Sequence, residues 1–221
     1  MFDQLFIGNV GSYDEFGASV AERIITKPKK KSIKETVPFF NGTHDYSAIN
    51  GETYWEDGGL EYVFEILADS AEELEEKKRP FFAWVMNTAQ AELHDPFIRG
   101  FHFIATYDDM DVDDSEVEKS TITVKFTAYP YMISNVKRVY AYVITEAETN
   151  IKINSNSSHR ITPTFVTDVE CNIVKGNTSY GIPAGTVEDD KFLLVPGENN
   201  MTVKATSGSG TLKIEFFEEV F

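Results

Sequence analysis

One cysteine, Cys171, stands in a chain of 221 residues. That excludes a disulfide framework within the chain, and a small buried thiol in a reducing compartment is the expected reading. Basic residues are scarce as well: 20 Lys+Arg face 36 Asp+Glu, a formal net charge of −16. Such a surface repels phosphates, so specific nucleic-acid binding is not expected. No stretch approaches the ~20 apolar residues of a membrane span. The opening MFDQLFIGNVG has neither a basic run nor a long apolar core, so it does not read as a signal peptide. Tryptophan is limited to Trp55 and Trp84. What is present is ample for a core, with 42% hydrophobic and 13% aromatic residues.

Strand chemistry dominates. LEYVFEIL, residues 60–67, puts Leu60, Tyr62, Phe64 and Ile66 on one face and Glu61, Val63 and Glu65 on the other. The Gly58-Gly59 pair before it predicts a tight hairpin, with residues 52–56 as partner strand and Asn50-Gly51 as its starting turn. Upstream, KETVPFF alternates through Val37 and Phe39 and stops at Asn41-Gly42; Pro38 places that strand near an edge. One segment changes period. Ser70 with Glu73 forms a capping box, and Ala71, Leu74, Trp84 and Val85 fit a helical stripe, predicting a helix over about residues 70–90 that Pro80 kinks or restarts. Strands are predicted over 101–107 and 117–128, with the acidic DDMDVDDSEVE as the hairpin tip between them.

From Val136 onward no helical pattern occurs. Short β runs follow at turn-punctuated intervals: RVYAYVIT, TNIKINS, TPTFVTDV, CNIVKG, TSYGIPAG, KFLLVPG, MTVKATS and GTLKIEFFEEV. Asn199-Asn200, Gly208 and Gly210 are expected to mark turns. This spacing reads as a β-sandwich or jelly roll. The fold class is therefore mainly β: an N-terminal antiparallel β-sandwich with one packed, kinked helix over residues 1–133, and a second sandwich over 134–221. The acidity lies in the first part, where 12 Lys+Arg meet 25 Asp+Glu before residue 133, against 8 and 11 afterwards.

Candidate chemistry is thin. Asp109, Asp111 and Asp113 begin like a calcium loop, but the positions needing Gly and Glu hold Asp114 and Ser120, so a solvated hairpin is the better reading and no metal is expected. The basic stretch TKPKKKSIK lacks interleaved aromatics, which argues against stacking on bases. Lys29, Lys30 and Lys31 could instead meet an acidic surface on another copy, with Asp109, Asp111, Asp113 and Asp114 as the complementary group. His44, His94, His102 and His159 show no ligand spacing, although His94 and Asp95 can approach His102 across strands. No G-x-S-x-G occurs, and Gly-Ser-Gly at 208–210 is a hairpin turn and not a phosphate loop. No catalytic residue and no cofactor is expected. A carbohydrate-binding sandwich contacting a host cell wall is the alternative function, with Tyr140, Tyr142, Tyr180 and Phe192 as its aromatic candidates.

The order of motifs is informative. PFFNGTHDYSAINGETYWEDGGLEYVFEIL carries Gly42, Asp45, Tyr46, Ser47, Asn50, Gly51, Glu52 and Tyr54. It resembles the turn segment G-x-x-D-F-S-x-x-N-G-E-x-x-Y of the distal tail (Dit) proteins of siphoviruses infecting Gram-positive bacteria. SAEELEEKKRPFFAWVM matches that family's helix with an interior Trp, and KFTAYPYM its F-x-A-x-P hairpin end. TPTFVTDV and LLVPGENNMTVKATSGSGTLKIEF resemble its galectin-like back domain. The long lysine run, Pro80 and the short back domain depart from the pattern. The resemblance implies a virion tail protein, assembled in the host cytoplasm. It implies a homo-hexameric ring at the tail tip that joins the tail tube protein to the tail-associated hub protein and to receptor-binding proteins, without catalysis.

Overall fold

The computed structural model describes residues 3–36, 38–39, 41–47 and 51–221. The expectations placed on Val37 and Asn50 lie outside them. The chain divides into two compact units, one ending at Met132 and one spanning Ile133–Phe221.

The first unit contains β1 (Phe6–Ile7), β2 (Val10–Gly11), α1 (Ser12–Phe16), β3 (Ala18–Thr26), β4 (Lys34–Glu35), β5 (His44–Asp45), β6 (Gly58–Leu67), α2 (Ala71–Met86), β7 (Ala91–His94), β8 (Phe101–Asp113) and β9 (Lys119–Ala128). An antiparallel sheet runs in the order β2-β1-β7-β8-β9-β6-β3. The alternation of β6 places Leu60, Tyr62, Phe64 and Ile66 in the core, next to Ile122, Val124 and Phe126 of β9. Helix α2 covers this wall with Leu74, Phe81 and Val85, and the Phe81 ring meets Phe64 edge-on at 5.1 Å. Each such side chain contributes roughly 1.5–3 kcal/mol by leaving water.

Helix α2 starts where the capping box predicts, with Ser70 Oγ accepting from the Glu73 N–H at 3.2 Å. It is not interrupted at Pro80, however, and it ends at Met86 instead of near residue 90. Pro80 is exposed, and the carbonyl it fails to bond belongs to Glu76, also exposed, so water can satisfy it. At the C-terminus Asn87 Nδ2 donates to the Ala83 carbonyl at 2.7 Å.

Three local expectations are corrected. Gly58 and Gly59 make no hairpin turn; both lie inside β6, and neither has a positive φ. A Cβ on Gly58 would sit 3.1 Å from the Thr26 carbonyl, so the glycine permits close approach of β3. Residues 52–56 do not pair with β6. They lie against the lysine stretch, where Lys31 N–H donates to Tyr54 O and Glu56 N–H to Lys29 O, both at 2.8 Å. The aspartates 109, 111 and 113 are not a hairpin tip: β8 continues through Asp113, because Met110 and Val112 alternate with them and preserve a strand pattern.

The second unit begins within β10 (Met132–Ser134). It continues with β11 (Arg138–Thr145), β12 (Thr149–Ser155), β13 (Thr164–Thr167), β14 (Cys171–Lys175), β15 (Thr178–Ile182), β16 (Gly185–Glu188), β17 (Gly197–Ala205), β18 (Ser209–Phe216) and β19 (Glu219–Val220). Two four-stranded sheets, β11-β18-β13-β16 and β12-β17-β14-β15, enclose one core that contains Ile144, Phe165, Ile173, Val203 and Ile214. Cys171 is buried there, and burial pushes its thiol pKa up. KFLLVPG is not a strand: only Leu194 bridges, to Ile161, and β16 takes the place in the sheet. Asn199 and Asn200 lie inside β17, whereas Gly208, at φ +70°, does turn the chain.

Candidate assembly surfaces

The face of the first sheet opposite the core is built by strand period. Every second residue of β3, β6, β9 and β8 points that way, and the registers align Glu22 with Val63, Glu61 with Lys125, Glu65 with Thr121, and Asp109, Asp111 and Asp113 with Lys125, Thr123 and Thr121. Six carboxylates thus share a face with two ammoniums, Lys119 and Lys125, among threonines. Lys119 pairs with Glu65 at 2.9 Å; Lys125 reaches Asp111 at 3.3 Å and Asp109 at 3.9 Å. Hydrogen bonds to those carboxylates raise both lysine pKa values. The three aspartates are spread along a strand at roughly 6.8 Å per pair of residues, so they cannot converge on one ion. Among the described residues no group of three or more His, Cys, Asp or Glu is placed to hold a metal.

Asp114 does something different. Its Oδ2 accepts from Lys78 Nζ at 2.7 Å and its Oδ1 from Ser120 Oγ at 2.6 Å. The hydrogen bond from Lys78 and then that from Ser120 hold its carboxyl below the usual range. Lys78 itself is 3% exposed and also pairs with Glu75 at 2.5 Å. Burial disfavours its charge, but the bonds to Asp114 and Glu75 prevail and its pKa is raised. The signal was available in the sequence: Lys78 falls on the stripe Leu74, Phe81, Val85 at helical spacing, so its stem must enter the core. Sequence reading also missed a second network. Buried Asp95 accepts from Arg23 Nε at 2.7 Å, from Tyr62 OH at 3.2 Å and from the Phe97 N–H at 2.9 Å, and Arg23 also pairs with Asp3. Burial first, then Asp95, pushes the Tyr62 hydroxyl pKa far up, so it stays a donor.

The glycine-rich stretch and the lysines form an arm. Lys29, Lys30 and Lys31 run antiparallel to residues 54–56, with Lys30 bridged to Trp55. Further out, β4 pairs with β5 in a separate two-stranded sheet, and Ser47 Oγ accepts from the Ile33 N–H at 2.8 Å. The described residues of the arm are not part of the first core, and Ile33, Tyr46, Tyr54 and Phe39 are exposed on it, Phe39 completely and at φ +67°. All three lysines are exposed, and among the described residues none forms an ion pair. Within the chain, Lys29, Lys30 and Lys31 are not brought to Asp109, Asp111, Asp113 or Asp114.

The remaining nominees are structural. His94 and His102 do approach, with ring centroids 4.8 Å apart, and Glu92 lies 3.2 Å from His94 Nε2. Phe192 is buried, while Tyr140, Tyr142 and Tyr180 turn their hydroxyls to the carbonyls of Asn154, Lys152 and Lys191 at 3.0, 3.0 and 3.3 Å. Their rings are thereby committed to closing the sandwich, not to presenting a flat platform. No helix among the described residues is long and apolar enough to cross a membrane.

These features define a class: a mainly antiparallel β chain of two units, with an acidic sheet face and an exposed basic arm. By sequence, no family model and no curated relative matches it. Among solved structures, the fold is that of the Dit protein (gp 19.1) of phage SPP1, a hub adsorption apparatus protein of phages infecting Gram-positive bacteria. That likeness has a TM-score of 0.72 over 100% of both chains at 14% identity. A chain of the phage P2 baseplate, in its activated conformation with Ca, gives a TM-score of 0.41 over 97% of this chain and 98% of that one at 9% identity, too low to carry an argument. The fold expected from the motif order is thus the fold observed.

Proposed function

We propose that the chain is a structural protein of a phage tail tip: a ring-forming Dit-like hub, six copies closing end to end, that joins the tail tube to the tail-associated and receptor-binding proteins. The observation that carries this reading is the acidic, threonine-rich face of the first sheet. A face of six carboxylates against two lysines is ill suited to a core or to a nucleic-acid grip, but it suits the wall of a channel through which DNA slides without adhering. The exposed arm supports the same reading. It places aromatic and aliphatic side chains outside the unit's own core, where a neighbouring copy can cover them, and a head-to-tail contact of that kind closes into a ring. The fold shared with the SPP1 protein agrees with both.

The test has two parts. Immunogold labelling of intact tails is expected to place the chain at the distal end of the shaft. Native mass spectrometry, with the tube protein added where needed, is expected to show a species near six times 24.9 kDa. Tails that lack the label at their tip would refute the proposal.

A further inference from the structure

The second unit leaves one strand edge unguarded. β11 ends its sheet: among the described residues it pairs along its whole length with β18 and with no other strand. Its outer edge therefore offers every second backbone N–H and C=O to a further strand. The side chains on its solvent face are Val139, Ala141 and Val143, and the two valines are 52% and 75% exposed. Native chains blunt such an edge with a short strand, a proline, a bulge or a lysine, because an uncovered one recruits other chains. The other three edges of this unit are treated in that way. β15 and β16 have five and four residues, and Pro183 stands between them. The edge of β12 is capped by side chains, since Tyr142 OH donates to Lys152 O and Tyr140 OH to Asn154 O, both at 3.0 Å. β11 itself has no proline or lysine, and its register with β18 runs without a bulge.

The charges at its ends indicate what covers it. Lys137 and Arg138 stand at the start of the strand, and Glu146 and Glu148 just past its end. A second β11 laid alongside in parallel would set base on base and acid on acid. Run antiparallel about a two-fold axis through Tyr142, it sets Arg138 opposite Glu146 twice over, and Ala141 opposite Val143 twice over. A slip by one residue would turn the aliphatic row against the tyrosine side, so the alignment is specified. Both charged ends are ordered beforehand: Arg138 Nε donates to Glu218 at 3.1 Å, and Glu146 accepts from the Gly208 N–H at 2.7 Å. Less freedom is then lost on contact. We infer that β11 is a self-complementary docking edge to which a second copy of the chain adds its own β11, joining two four-stranded sheets into one. Such a contact is isologous, so it cannot be the head-to-tail contact that closes a ring of six. It joins two free chains or two rings, goes beyond the tail-tip role, and stands or falls separately from it.

Sedimentation equilibrium of the full chain at about 0.1 mM, without other tail proteins, tests it. A reversible dimer near twice 24.9 kDa is expected, or, where rings close unaided, a species near twelve times that mass instead of six. Ala141→Glu and Val143→Lys, both at exposed positions, are each expected to weaken the pairing roughly tenfold and to leave the thermal midpoint unchanged, because each sets like charges on neighbouring rungs. An equimolar mixture of the two variants is expected to recover association as a mixed dimer, since the introduced carboxylate then faces the introduced ammonium. Replacement of Lys29, Lys30 and Lys31 by Glu is expected to leave this contact unchanged, which separates it from ring closure. Monomers or single rings throughout, or pairing that both β11 variants leave intact, would each overturn the inference. Failure of the mixture to recover would overturn the antiparallel alignment.

Discussion

At the scale of single residues, two buried charges decide how the first unit responds to substitution and pH. Asp95 is 3% exposed and ties Arg23, Tyr62 and the Phe97 backbone together. Its removal would leave a guanidinium and a hydroxyl without their acceptor, so Asp95→Ala is expected to cost about 3–4 kcal/mol in urea unfolding. A loss under 1 kcal/mol would mean that water replaces the carboxylate. Lys78 behaves differently because Asp114, its partner, is half exposed. The Asp114 pKa is lowered from 3.8, so between the folded and unfolded values the unfolded chain binds more protons. Its stabilisation is complete above pH ~4 and is lost as pH falls through the lowered value. Screening by solvent limits the effect to about 1 kcal/mol or less. Lys78→Met keeps the buried stem and removes the charge. The variant is expected to stay within about 1.5 kcal/mol of the parent at pH 7 and to lose stability less steeply as pH falls below ~4. Identical acid limbs for parent and variant would show that the pair does not couple to stability.

At the scale of elements, the legible parts were those where period and burial agree. β6 reads directly because one face is wholly apolar, and the start of α2 reads because Ser70 and Glu73 satisfy free N–H groups. The misreadings share a cause: residues 52–59 hold turn formers whose local preferences fit several partners, and only tertiary contacts choose among them. Gly58 is needed for the approach of Thr26, which no local pattern announces. Asp109, Asp111 and Asp113 looked like a loop because charge was weighed above the alternation of Met110 and Val112. The acidic face was invisible for a related reason, since its members come from four strands and meet only through register. Helix α2 offers an element-scale test. Pro80 lacks the N–H that would bond Glu76, a defect that costs about 3 kcal/mol in a helix interior, partly offset by the stiffer unfolded chain that proline gives. Pro80→Ala is accordingly expected to stabilise the protein by about 1–2 kcal/mol, read as a higher urea midpoint with an unchanged slope. A loss of stability would mean that Phe81 and Trp84 depend on the local curvature that proline imposes.

At the scale of the whole molecule, the proposed ring offers the acidic strand segment two uses that exclude one another. Asp109, Asp111 and Asp113 can face a channel, or they can receive Lys29, Lys30 and Lys31 of a neighbouring copy. Among the described residues the lysines make no ion pair, so their charge is available to a partner in either case. Exposed pairs contribute about 0.2–1 kcal/mol each, so three lost pairs amount to roughly 1–3 kcal/mol per interface. Replacing Lys29, Lys30 and Lys31 by Glu is expected to weaken ring assembly about 5- to 150-fold at ~0.01 M salt, and much less at ~1 M, where the screening length falls to about 3 Å. Stability of the single chain should shift by no more than about 0.5 kcal/mol, because the arm lies outside the core. The partner is then identified by reversing Asp109, Asp111 and Asp113 to Lys. If these aspartates receive the lysines, the reversal weakens assembly alone and restores it in combination with the Glu replacements. If they line a channel, as the shared face with Glu61 and Glu65 favours, rings form normally without rescue. Tails carrying them would then retain DNA, because six new ammoniums per altered pair of copies would grip the phosphates that the native aspartates repel. Assembly at low salt that is indifferent to the lysine replacement would remove the arm's charge from the account, and leave Ile33, Phe39, Tyr46 and Tyr54 as its means of holding a neighbour.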